Sequence, residues 1–268
     1  MPSPVEKKKK EVPGAEGYQS QADDLVWGLN TVREAVRHTP KSISEIMVQR
    51  GKGGSKYQEI IDLARSNRIK LRFVEVDRIG IPGRVSHQGV VARLAAVELI
   101  SLEELLAEIK PTGSGELPRI LVLDSIQDPR NLGAVLRSAL AAGFVSVILT
   151  RERSAPLSGT VAKTSAGAVS QLKIAQVVNL ADALKKMKQS GFWVFGAVPD
   201  PAALSMYKAD FRVPLCLVIG GEEKGIRPLV QKGCDQLITI PMQGDFDSLN
   251  VSVAAAVVMF EVCRQQMP

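Results

Sequence analysis

Three polar insertions, each following an apolar run, hold residue types that can do chemistry. The first is Asp124-Ser125-Ile126-Gln127-Asp128-Pro129-Arg130-Asn131-Leu132-Gly133-Ala134-Val135-Leu136-Arg137, directly after Ile120 to Leu123. It supplies an amide at Asn131 and, at Arg137, a guanidinium, the group suited to gripping phosphate and stabilising developing negative charge. Gly133 and Arg137 are four apart and share a helical face, where the missing side chain should leave open space beside the guanidinium. A helix cap is the commoner explanation for Asn131 taken by itself. Gly133 costs a helix about 1 kcal/mol relative to Ala, which argues for a close-approach role.

The second insertion, Gly220-Gly221-Glu222-Glu223-Lys224-Gly225, ends the run Leu215 to Ile219. Two glycines let a ligand or another stretch of backbone come near, and a carboxylate follows directly. A plain turn explains it as well. The third runs from Ile240 through Pro241-Met242-Gln243-Gly244-Asp245-Phe246-Asp247 to Ser248-Leu249-Asn250. Ser248 and Asn250 suit a helix cap as readily as a ligand, but Leu249 between them implies that something packs on the loop.

Several chemistries lack their signatures. There is no G-x-G-x-x-G after the first strand of either half and no G-x-x-x-x-G-K-[ST], so dinucleotide and P-loop chemistry have no fingerprint. Two histidines, His38 and His87, lie far in sequence from all three insertions, which leaves a Ser/His/Asp triad unsupported. Cys216, Cys234 and Cys263 are odd in number and never form C-x-x-C, so neither a disulfide framework nor a metal site is expected.

The elements that must position these insertions follow from periodicity. Apolar runs at 120–123, 145–149, 192–195, 215–219 and 237–240 alternate with helical patterns near 131–142, 158–167, 180–190, 226–232 and 251–265, the pattern of a parallel α/β sheet. Ligands of such sheets bind beyond the carboxyl ends of the strands, where all three insertions fall. The last helix is apolar nearly all round, which predicts burial against the sheet or a partner subunit. Upstream, a smaller α/β unit is expected: a helix capped by Asn30-Thr31 and running over 32–37, a strand at 43–48, a helix at 57–67, and strands at 71–76 and 89–94. Residues 1–22 read as a disordered tail, 23–97 as one domain, 98–118 as a linker with breakers at 111–118, and 119–268 as the second domain.

With 268 residues, 45% hydrophobic, the chain can bury a sizeable core. No apolar stretch nears the roughly 20 residues of a membrane span, and a cytoplasmic protein without membrane partners is expected. Lys and Arg outnumber Asp and Glu 34 to 28, a net of +6 that points to a polyanion. The lysine run at 7–10 is nearly cancelled by Glu6, Glu11 and Glu16, whereas residues 21–100 hold 13 basic and 9 acidic side chains. Within that segment Arg65, Arg68, Lys70, Arg72, Arg78 and Arg84 face only Glu75 and Asp77, a pattern that fits a solvated face or a nucleic-acid phosphate surface.

Taken in order, LDSIQDPRNLGAVLRSA, IGGEEKGIRP and IPMQGDFDSLNVSVAAAVVMFE resemble the three motifs of the SpoU family of RNA ribose 2′-O-methyltransferases, part of the SPOUT superfamily, over about residues 119 to 265. The first unit, ending VSHQGVVARL, is similar to the ribosomal-protein-like substrate-binding domain that many members carry. The resemblance implies an α/β fold whose C-terminal parallel-sheet domain is tied in a deep trefoil knot, S-adenosyl-L-methionine as cofactor, and a homodimer. It implies methyl transfer to a ribose 2′-hydroxyl, with a guanosine of 23S ribosomal RNA favoured over tRNA. By the same resemblance Asn131, Arg137, Glu222, Ser248 and Asn250 fall on catalytic positions, and Gly220, Ile240 and Leu249 on cofactor-contacting ones. A guanidinium with a pKa above about 12 is a poor base, so Arg137 is expected to grip the phosphate beside the ribose, with Glu222 and Asn131 holding it. The proton acceptor is left unassigned. Two readings compete: a non-catalytic RNA-binding or ribosome-assembly protein on the same scaffold, and a nucleotide-dependent oxidoreductase on an unknotted sheet.

Overall fold

The computed structural model describes residues 24–79, 87–109, 117–243 and 248–267. The expected tail at 1–22 and Arg84 lie outside them. The first unit begins with β1 (Leu25–Trp27), α1 (Leu29–His38) and β2 (Ile43–Gln49) and continues through α2 (Ser55–Ser66), β3 (Lys70–Val74) and β4 (Val90–Leu94). Its strands are ordered β1-β4-β2-β3, with β2 and β3 parallel and the other pairs antiparallel. Side chains in a strand alternate faces, so Ile46 and Val48 meet Val32 and Val36 of α1 and Ile60 and Ala64 of α2, while Met47 points the other way, to Leu25, Val74 and Ile79. The start of α1 differs from expectation. Gly28, not Asn30, is the N-cap, at φ 95°, and the Leu29 N–H is satisfied from a distance by Gln88 Oε1 at 3.0 Å. The strand expected to reach residue 76 ends at Val74, and 76–78 coil into a 3₁₀ turn.

The second unit opens with β5 (Leu99–Ile100) and α3 (Leu102–Glu108). The stretch expected to be a linker is therefore partly built into this unit: β5 pairs in parallel with a later strand, and α3 starts on a capping box in which Ser101 and Glu104 satisfy each other's backbone N–H. There follow β6 (Arg119–Asp124), α4 (Pro129–Ala141), β7 (Ser146–Thr150), α5 (Gly159–Thr164), β8 (Lys173–Val177), α6 (Leu180–Gln189), β9 (Trp193–Ala197) and β10 (Leu204–Ser205). The chain closes with β11 (Leu215–Gly220), α7 (Pro228–Gln231), β12 (Gln236–Thr239) and α8 (Val251–Gln266). These strands form one sheet, parallel in every pairing, ordered β10-β12-β9-β11-β6-β7-β8-β5.

The sheet is covered on both faces. Leu121 and Leu123 of β6 join α4 and α8 on one side, and Ile120 and Val122 join α3, α6 and α7 on the other. All four are fully buried, each contributing about 1.5–3 kcal/mol, which is why the central strands read as unbroken apolar runs. The two units touch where Lys163 lies 4.7 Å from the centroid of the Trp27 ring and where Thr39 fills the space beside Gly167.

Candidate active site

The carboxyl ends of β6 and β11, adjacent strands at the middle of the sheet, bring the first two insertions together: Gly220 pairs with Asp124. Asp124 is fully buried, and both its oxygens are occupied. Arg227 donates from Nε to Oδ1 at 2.7 Å and from its backbone N–H to Oδ2 at 2.9 Å, and the Ser125 hydroxyl donates to Oδ1 at 3.0 Å. The Gly221 N–H closes the junction on the Asp124 carbonyl at 2.9 Å. A carboxyl group at zero exposure is tolerable only with this degree of satisfaction.

The glycines answer the question their pattern posed. A Cβ at Gly220 would lie 2.0 Å from the carbonyl carbon of Gly225, and one at Gly221 would lie 2.3 Å from the Ser125 oxygen. Backbone, not empty space, fills both positions, so the Gly221–Gly225 turn is folded tightly onto the end of β6. Gly133 also differs from expectation. A Cβ there would come within 2.7 Å of Thr164 Cβ and 2.9 Å of the Val161 carbonyl, so the space is occupied by α5 rather than left open beside Arg137.

Glu222 projects from this turn and accepts a hydrogen bond from Asn131 Nδ2 at 2.8 Å. Asn131 Oδ1 in turn accepts from Asn250 Nδ2 at 3.2 Å, and Asn250 Oδ1 caps α8 by accepting from the Ser252 N–H at 2.9 Å. Three segments separated by 91 and 119 residues thus converge in one polar chain. Asn131 is not the cap of α4. Asp128 is, accepting from the Arg130 N–H at 2.8 Å, with Pro129 at the first helical position, and this leaves the Asn131 side chain for the chain of amides. Asn250 thus caps α8 and, through its amide nitrogen, also joins this chain.

The remaining positions surround this centre. Ile240 follows β12 and packs on the main core, half-buried. Ser248 and Leu249 precede Asn250 on the surface, Leu249 at 37% exposure. Arg137 does not join the chain of amides. It lies six residues beyond Asn131 on α4, about 9 Å along the axis and on another side, exposed and without a side-chain bond to any described residue. Contrary to the expectation that Glu222 and Asn131 hold it, those two groups bond each other and neither bonds the guanidinium.

Asp124 and Arg227 went unrecognised in the sequence, although a carboxylate closing the apolar run Ile120-Leu121-Val122-Leu123 is a visible anomaly that demands a partner. Two of the thiols are poor nucleophiles: burial, reinforced by Asp235, pushes Cys234 up to about 12 and raises Cys216 well above its usual range.

The profile of the SpoU rRNA methylase family matches residues 118–260, and that of the RNA 2′-O ribose methyltransferase substrate-binding domain matches residues 25–99. The 23S rRNA (guanosine-2′-O-)-methyltransferase of Xanthomonas campestris is 39% identical over 92% of this chain and 99% of its own length. The Xylella fastidiosa protein of the same description is 41% identical over 92% and 98%. Among solved structures, an AdoMet-bound rRNA methyltransferase from Sinorhizobium meliloti superposes with a TM-score of 0.70 at 22% identity, covering 95% of this chain and 92% of that one. An RNA 2′-O ribose methyltransferase does so at 0.64 and 26%, covering 94% and 92%.

Proposed function

The chain belongs to the SpoU rRNA methylase family, and from that premise we propose that it transfers the methyl group of S-adenosyl-L-methionine to the ribose 2′-hydroxyl of a guanosine in 23S ribosomal RNA. The observation that carries the proposal is the Glu222–Asn131–Asn250 chain, which draws the three family segments to one point at the carboxyl ends of the sheet. A scaffold that only bound RNA would have no need to join them.

Adenosylmethionine presents an aromatic base and a zwitterionic tail. Gly220 at the end of β11, Ile240 just after β12 and Leu249 just before α8 are the positions we assign to its backbone and apolar contacts. When bound, the sulfonium supplies an already activated methyl group. The chain's own residues then have two tasks. Asn131, Glu222 and Asn250 keep the loops in one register, so that the ribose is held for in-line approach, and Ser248 lines the same loop. Arg137, permanently charged and free to turn toward solvent, grips the phosphate beside the target ribose and stabilises the negative charge that develops on the 2′-oxygen.

The protein acts as a homodimer in the cytoplasm, where ribosomal RNA is made. Val253 and Phe260, seven apart on the outer side of α8, are each 48% exposed on a helix whose other side packs on α4 and β11, and a second copy would cover them. The deep trefoil knot belongs to the same proposal. It is consistent with β11 lying between β6 and β9 while β12 lies beyond β9.

The decisive experiment incubates the protein with tritiated adenosylmethionine and a 23S ribosomal RNA transcript and maps the 2′-O-methylated nucleotide. Label at one guanosine is the expected result. Label on tRNA alone, or none, overturns the assignment.

A further inference from the structure

At the carboxyl ends of β2 and β3 a cavity of about 400 Å³ is lined by Arg50, Arg72, Phe73, Val74, Asp77 and Arg78, together with Glu75. Its size is at the small end of the roughly 300–1,000 Å³ of small-ligand clefts. Phe73 is 47% exposed on an edge strand and belongs to neither apolar cluster of its unit. The other two aromatic rings of the unit's described residues are engaged: Trp27 with Lys163, and Tyr57 through its hydroxyl, which donates to the Gln88 carbonyl at 2.7 Å. An exposed ring on an edge strand invites aggregation unless it serves a purpose, and nothing in the fold needs this one.

Charged side chains share the lining with it. Arg50 is held over the end of β3, its Nε donating to the Phe73 carbonyl at 3.3 Å and lying 3.8 Å from Glu75. Arg72 is steadied from behind by the nearly buried Glu45 at 3.6 Å. Arg78 has no side-chain partner among the described residues, and Asp77 beside it is likewise unpaired. Three guanidiniums against two carboxylates leave the lining cationic.

The geometry points to a subsite for one unpaired nucleotide of the RNA substrate, its base stacked on the Phe73 ring and a flanking phosphate held by Arg78. This rests on the ribosomal RNA reading above and goes beyond it by naming a single-stranded element and the side chain that reads it. Every base has a π face, so the contact is tolerant of sequence. It selects for an unstacked nucleotide rather than for a duplex.

The test measures filter binding of the full-length protein to a 23S ribosomal RNA transcript across a range of salt. Phe73→Ala should weaken binding about tenfold while the slope of affinity against salt stays at its wild-type value, since the lost contact is not ionic. Phe73→Tyr should restore binding, and Phe73→Leu, which keeps apolar bulk without a π face, should not. Arg78→Gln should lower the slope by about 1. Unchanged melting temperature and unchanged adenosylmethionine affinity by calorimetry establish that the variants are folded. Phe73→Ala or Phe73→Leu binding within twofold of wild type overturns the subsite. If wild type methylates the transcript and Phe73→Ala binds it equally well, the subsite fails and the methyl-transfer reading stands. If binding depends on Phe73 but no tritium is transferred, the subsite stands and that reading fails.

Discussion

Each unit of this molecule buries a carboxylate near a pair of parallel strands, and the two are held in different ways. At β6 and β11 the Asp124 oxygens accept three hydrogen bonds of 2.7–3.0 Å, two of them from Arg227. At β2 and β3 the Glu45 carboxylate sits 3.5 Å from Lys70 and 3.6 Å from Arg72, both of them more than half exposed. The first arrangement ties a loop to the strand end through three short hydrogen bonds, while the second sets two exposed cations beside a carboxylate at ion-pair distance. Transfer of a methyl group needs preorganised geometry, whereas gripping a flexible polyanion needs charges that can adjust. The more fully bonded carboxylate lies where methyl transfer is proposed, and the more loosely paired one in the unit that matches the substrate-binding profile.

The comparison is tested most severely at Arg137, because that side chain should matter to transfer and to nothing else. Arg137→Ala should lower methyl transfer at least about a hundredfold while calorimetry finds adenosylmethionine affinity near wild type, as for loss of a charge-stabilising donor. A variant that loses cofactor binding instead would show that the guanidinium supports the loops. The next largest effect separates the two carboxylates directly. Asp124→Ala leaves the Arg227 charge without its buried partner and should cost about 3–5 kcal/mol in urea unfolding. Glu45→Gln, facing cations that solvent can rehydrate, should cost no more than about 1 kcal/mol. Equal costs would dissolve the distinction between a pinned end and a loose one.

How much of this was legible in the sequence follows the same division. β6, β7 and β11 are buried on both faces and write themselves as apolar runs. β8 did not, because Lys173 and Gln176 interrupt Ile174, Ala175 and Val177 near the edge of the sheet, and β5 and β10 are two residues each, defined by their partners rather than by any pattern. The residues of the site could be picked out because each insertion ends a strand. Their pairing could not, since Asn131 and Glu222 are 91 residues apart and Asp124 and Arg227 are 103 apart. Arg137 stands apart from Asn131 for a local reason: six residues along a helix turn a side chain well away from the first. The cap is Asp128, three residues before Asn131 and followed by the proline that opens α4.

Gly133 offers a finer test of rigidity at the chemical end. Alanine there should gain about 1 kcal/mol of helix propensity, but its Cβ would meet Thr164 Cβ and the Val161 carbonyl, and a backbone oxygen cannot swing aside. Overpacking of this kind costs about 1–3 kcal/mol, so Gly133→Ala should lower the melting temperature by a few degrees on balance. An unchanged or raised melting temperature would mean that α5 yields, and that the helix carrying Asn131 and Arg137 is less firmly seated than its packing implies.

The smallest effect belongs to the loose end. Arg65 lies at the limit of an ion pair with Asp62 at 4.0 Å, and Arg68, at φ 57°, carries its charge into solvent after α2. Neither supports the core, so Arg65→Gln with Arg68→Gln should leave unfolding unchanged within about 0.5 kcal/mol. If both contact phosphate, the slope of log affinity for 23S ribosomal RNA against log salt should fall by between about 1.4 and 1.8, with the loss in affinity shrinking as salt is raised. A slope that does not move assigns these two arginines to an ordinary solvated face and confines RNA contact in this unit to the β3 end. That outcome would sharpen the contrast, because adaptable charge would then be gathered at one strand end, opposite in character to the pinned end at β6 and β11.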